Sequence, residues 1–103
     1  MAKFINIPTT VTGQPNLLFN GDNVVTVVPP AVGDTTATGL YCTVYTHNKL
    51  FRLTFSGATA AIQNSNAIAG ATQIQNAILG TYSGPTQFNV TFNVGSINAI
   101  TVV

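Results

Sequence analysis

The chain has 103 residues and a mass of 10.7 kDa, which fits a single domain (1–103) with one core. Hydrophobic residues make up 46%, an ordinary globular share, but charged residues only 5%, against a usual figure of about 25%. A net charge of +1 excludes the basic stripe that nucleic acid calls for, and it gives little repulsion to hold copies of the chain apart.

In chain order, Lys3 to Ile7 (KFINI) predicts a short strand stopped by Pro8, followed by a polar Thr, Gly and Pro loop to about Asn16. Leu17 to Phe19 is a short apolar run. Asn20-Gly21-Asp22-Asn23 is a turn signal, because Asn and Gly accept left-handed conformations. Val24 to Val28 is β-branched and predicts a second strand, ended by Pro29-Pro30. Ala31 to Gly39 then predicts a surface loop.

Leu40 to Phe55 (LYCTVYTHNKLFRLTF) predicts a hairpin with His47-Asn48 as its two-residue loop. That register sets Thr46 opposite Lys49, Val44 opposite Phe51, Cys42 opposite Leu53 and Leu40 opposite Phe55. One face is then apolar on both arms, and the other carries Tyr41, Thr43 and Tyr45 with Thr54, Arg52 and Leu50. Asn48 is expected to supply the positive φ of a tight turn.

From Ser56 to Gly80 the composition shifts to Ala, Gln, Ile and Asn. Ala67, Ala71, Ile74 and Ile78 fall on one helical face, with Ile68 beside it, so a helix is predicted over about 65–79. Asn64 or Ser65 is expected to cap its start and Gly80 to follow its end. Gly70 weakens the interior by about 1 kcal/mol relative to Ala, so packing has to hold this helix. Phe88, Val90, Phe92 and Val94 alternate with polar residues, Gly95-Ser96 suits a two-residue turn, and Ile97 to Val103 predicts the returning strand of a second hairpin. The expected fold is α+β: a mostly antiparallel sheet of two hairpins and short N-terminal strands, with one helix on an apolar face.

The residues that carry chemistry are few. His47 is the one histidine and has no second ligand or base in its neighbourhood of sequence; Cys42 falls on the inward register, which suits a buried thiol. Asp22 and Asp34 lie in predicted turns without the dense acidic spacing of a calcium loop. Lys3, Lys49 and Arg52 are too few to make a stacking platform for single strands out of Tyr41, Tyr45 and Phe51. No phosphate-binding glycine pattern is present. Asn89-Val90-Thr91 meets the glycosylation pattern but falls inside a predicted strand. The expectation is therefore a protein that is not an enzyme and uses no metal or cofactor. With no apolar run near the roughly 20 residues of a membrane span and no visible export signal, folding in a cytoplasm is expected.

Met1-Ala2-Lys3-Phe4-Ile5-Asn6-Ile7-Pro8, the strand entry Asp22-Asn23-Val24-Val25 and the close Ser96-Ile97-Asn98-Ala99-Ile100 together resemble small virion structural proteins of tailed bacteriophages, marine ones especially. That resemblance implies a non-enzymatic, capsid decoration-like role in the virion, made in the host cytoplasm, with itself or a phage shell protein as partner. The expected mode is pairing of strand edges and apolar contact in a homo-oligomer, with no nucleic acid and no membrane. The candidate contact residues are Phe4, Ile5 and Ile7 on a front edge, and Tyr45, Leu50, Ile100 and Val102 on faces turned from the core. A module that binds glycans or host surfaces through Asn, Thr and Tyr, and a self-polymerising filament subunit, are the alternatives.

Overall fold

The structure is a computed structural model that describes residues 4–20, 23–81 and 87–103. Seven strands and one long helix form it: β1 (Phe4–Val11), β2 (Gln14–Asn20), β3 (Val24–Val28), β4 (Tyr41–Thr46), β5 (Leu50–Phe55), α1 (Ala60–Thr81), β6 (Gln87–Asn89) and β7 (Ile97–Val102). The strands make one sheet in the order β2-β1-β7-β5-β4-β3, with β6 also beside β1. Pairing is antiparallel except where β1 meets β6 and β7. This is the α+β architecture expected.

The central hairpin has the predicted register, with Cys42 opposite Leu53 and Val44 opposite Phe51. Its turn works differently from expectation. Among the described residues no non-glycine has positive φ, so Asn48 does not enter the left-handed region. The Thr46 hydroxyl instead closes the loop: Lys49 N–H donates to Oγ1 at 3.0 Å and Oγ1 donates to the Lys49 carbonyl at 2.8 Å.

Three expectations are corrected. First, Pro8 does not stop the opening strand. β1 runs on to Val11 and forms a hairpin with β2 around Thr12-Gly13, with Gly13 at φ +80. Pro8 sits where β1 exchanges one neighbour for another, between Asn6 beside Asn89 and Thr9 beside Ile97, a place where a residue without an N–H disturbs the ladder least. Second, residues 87–103 are not a hairpin. β6 is three residues long and pairs with β1; β7 pairs along the whole of β5, Leu53 opposite Ile100 and Phe51 opposite Val102. Folding β7 back on 87–94 would leave β5 without that ladder. Gly95 turns as expected at φ +70, but it redirects the chain between two neighbours of β1.

Third, the helix begins earlier, at Ala60, and continues through Gly80 to Thr81. Thr59 caps it, its Oγ1 accepting from Ile62 N–H at 3.3 Å. Asn64 is no cap. It is buried inside the helix and holds the 31–39 loop, donating from Nδ2 to the Ala31 and Gly39 carbonyls and accepting from Gly33 N–H, all within 2.9 Å. The predicted face is otherwise correct: Ala67, Ala71 and Ile74 are buried and Ile78 packs against the core, while Gln75 and Asn76 face solvent. That face lies on the Cys42, Val44, Leu53 and Phe55 side of the sheet, with Gly70 directly on the Phe55 ring.

The sheet curls around this core. In a flat sheet β2 and β5, three strand spacings apart, would be separated by about 14 Å. Phe19 on β2 nevertheless meets Phe51 on β5 edge-on, ring centroids 4.9 Å apart. Phe92, from the irregular stretch after β6, meets Phe55 in the same way at 5.2 Å.

Candidate protein-contact site

Curling and strand order together decide which residues a partner can reach. Ile5 and Ile7 are 1% and 0% exposed and lie in the core, so they are withdrawn as contact residues. β1 is an interior strand, and a front edge at Phe4 to Ile7 does not exist. Phe4 itself points to the opposite face and is 37% exposed. Tyr45 and Leu50 stand opposite one another on the outer face, as expected. Ile100 and Val102 do not: as register partners of Leu53 and Phe51 they lie on the helix side, where Ile100 packs on the core and Val102 stays half exposed at the margin. Pairing with β5 rather than with residues 87–94 turns these two side chains to the other face.

Among the described residues the open edges are β2 and β3, at the two ends of the sheet. Neither strand contains a charged residue. Leu18 on β2 and Val28 on β3 are large apolar side chains left exposed there. In the sequence the edge at β2 shows only as the short apolar run Leu17-Leu18-Phe19 after a polar loop, a signal too short to separate strand from loop. Val32 is a further exposed apolar residue, on a loop held in place by Asn64 and turned by Gly33 at φ +81.

Between these edges the outer face of β4 and β5 carries Tyr41, Thr43 and Tyr45 opposite Thr54, Arg52 and Leu50. The Arg52 guanidinium lies over the Tyr41 ring, 5.3 Å from its centroid, a cation–π contact. A small cleft of about 270 Å³ opens where β6 ends and β7 begins, lined by Pro8, Thr9, Thr10, Val90, Phe92 and Ser96 among others. No acid or base lines it. It offers shape and hydroxyl groups.

Two of the titratable groups that the structure describes, Cys42 and Asp34, do structural work. Cys42 is fully buried, and burial pushes its thiol up to about 12, which leaves it protonated and unreactive. Asp34 organises its own loop, accepting from the Thr36 hydroxyl and N–H and from the Thr38 hydroxyl; these bonds hold its carboxyl below the usual range. His47 is exposed at the hairpin tip, where its backbone N–H donates to the Asn23 carbonyl at 3.2 Å. Asp22 and Lys3 lie outside the described residues, as does the Gly21-Asp22 centre of the predicted turn. Among the described residues no three His, Cys, Asp or Glu come together as a metal site would require, and every buried side-chain polar atom has a partner. No helix among them is long and apolar enough to cross a membrane.

Comparison with protein-family models, with curated proteins and with solved structures finds no match to this chain.

Proposed function

We propose that this protein is a non-enzymatic structural subunit of a phage particle, present in many copies on the shell or tail and held there by strand-edge pairing and apolar contact. The observation that carries this reading is the uncharged edge of β2 at one end of the sheet, open among the described residues. Folded proteins that remain solitary guard such edges with Lys, inward charges, prolines, bulges or cover, and Asn16 to Asn20 of β2 carry no charge, proline or register shift. The resemblance of the N-terminal and C-terminal motifs to small virion proteins supplies the kind of assembly. Protein composition of purified particles, with cryo-microscopy of the same particles, tests it: many copies per particle are expected, and virions lacking the chain would overturn it.

The outer face with Tyr41, Tyr45, Arg52 and the threonines supports a second reading, a glycan-binding module, since sugars bind aromatic platforms flanked by hydrogen-bonding groups. A glycan array on the isolated chain separates the two. Sugar binding that Tyr45→Ala abolishes, in a chain that does not assemble, would favour the module.

A further inference from the structure

Of the two open edges, β3 is blunted. Its pairing with β4 shifts between Val24 and Thr26, and Pro29-Pro30 follows it; bulges and prolines are ways of spoiling an edge. β2 has its own proline, Pro15, and its own register shift, but both lie at the end nearest the Thr12-Gly13 turn. Asn16 to Asn20 pair with Pro8 to Phe4 in unbroken register, the irregularity in that hairpin lying beyond Pro8 toward the turn. The edge is therefore regular over Asn16-Leu17-Leu18-Phe19-Asn20, carries no charge, and exposes Leu18 at 57%.

The order of those five residues points to what fits there. Read in either direction the segment runs amide, apolar, apolar, apolar, amide. We infer that β2 pairs antiparallel with β2 of a second copy about a two-fold axis through Leu18, joining two sheets into one. This rests on the assembly reading above for its choice of a second copy as occupant. In that register Leu18 meets its own counterpart on the outer face, with Asn16 opposite Asn20 of the second copy on each side. Leu17 meets Phe19 of the second copy on the inner face, where both are already buried in their own core. Moving the axis to Leu17 or to Phe19 would set Leu18 against an Asn, so one register alone matches apolar with apolar and amide with amide. A two-fold contact of this kind closes on itself and leaves β3 and the outer face free for other partners.

The test uses the full chain. Light scattering over a concentration series is expected to show the 10.7 kDa mass doubling for the wild type. Leu18→Lys and Leu18→Glu each place like charges across the axis and are expected to weaken the dimer by roughly 100-fold or more. Mixing the two variants is expected to restore it, which a merely misfolded variant could not do. Leu18→Cys places two Cβ atoms about 5 Å apart and is expected to form a disulfide-linked dimer under mild oxidation, while Thr101→Cys, exposed on β7, does not. Cys42 is buried and does not compete. A Leu18→Lys chain that associates as well as the wild type, or a Leu18→Cys chain that crosslinks no faster than Thr101→Cys, would overturn the pairing and leave the assembly reading standing. A crosslinked dimer from a chain that virions lack supports the pairing and sinks the virion reading alone.

Discussion

Gly70 shows how one residue can oppose its own helix and still be required. A Cβ at this position would clash with the Phe55 ring at its Cζ, so the glycine sets how closely α1 approaches β5. Gly70→Ala gains about 1 kcal/mol of helix propensity but must push ring and helix apart, at a cost of about 1–3 kcal/mol. The expected net is a loss of stability in urea unfolding, smaller when the same change is made in a Phe55→Leu background; a stabilised single variant would contradict the packing. Asn64 works in the opposite sense, a polar residue in the buried face that holds a distant loop. Asn64→Ala strands the Gly33 N–H and the Ala31 and Gly39 carbonyls, and a loss of about 2–3 kcal/mol is expected, with faster amide exchange in residues 31–39. Cys42 adds a pH dependence. Its folded value of about 12 lies above the ordinary 9.0, so the unfolded chain loses its proton first as pH rises. The stability tied to the neutral thiol is complete below pH 9.0 and lost between there and about 12. Cys42→Ala is expected to remove that part of the alkaline decline, and comparing urea midpoints at pH 8 and pH 10.5 checks it.

At the scale of elements, alternation told which side chains face inward and was silent on which strands are neighbours. The arms of β4 and β5 could be paired from sequence because they adjoin and because both have an apolar and a polar face in the same register. β6 and β7 adjoin in the same way, and Val90 and Phe92 do face the core. Yet β5 and β1 compete for those segments, and long-range competition leaves no mark in a local pattern. The Thr12-Gly13 turn was hidden by Pro8, since a proline ordinarily ends a strand and this one sits where the ladder changes hands. The contact residues depend on the same neighbours: Ile5 and Ile7 would sit on an edge only if β1 were one, and it is an interior strand. The β4–β5 turn offers a direct check. If Asn48 took a positive φ, Asn48→Gly would stabilise the hairpin; with φ negative it is expected to cost roughly 0.5–1 kcal/mol through the entropy of the unfolded chain. Thr46→Val, which removes the hydroxyl that closes the loop, is expected to cost about 1 kcal/mol. Thermal unfolding of the two variants decides between the turn types.

For the whole molecule, the scarcity of charge makes a prediction about how the protein associates rather than whether it does. Contacts built from Lys and Arg against acids weaken as salt rises, because a Debye length of about 10 Å at 0.1 M shrinks to about 3 Å at 1 M. Edge hydrogen bonds and apolar contact have no such dependence, and excluded salts such as sulfate strengthen apolar burial. With three Lys or Arg and two Asp in the entire chain, and with β2 and β3 carrying none of them, association is expected to be flat or slightly stronger as sodium chloride rises from about 0.05 M to 1 M, and stronger again in ammonium sulfate. Lys49 and Arg52 are the cations among the described residues, at the hairpin tip and on the outer face. Association through that face with an acidic partner would fall steeply over the same range. Light scattering across the salt series therefore reports which surface carries the assembly. A steep fall would move the contact from the uncharged edges to the Tyr41–Arg52 face, and a flat curve that Leu18→Lys abolishes would fix it at β2.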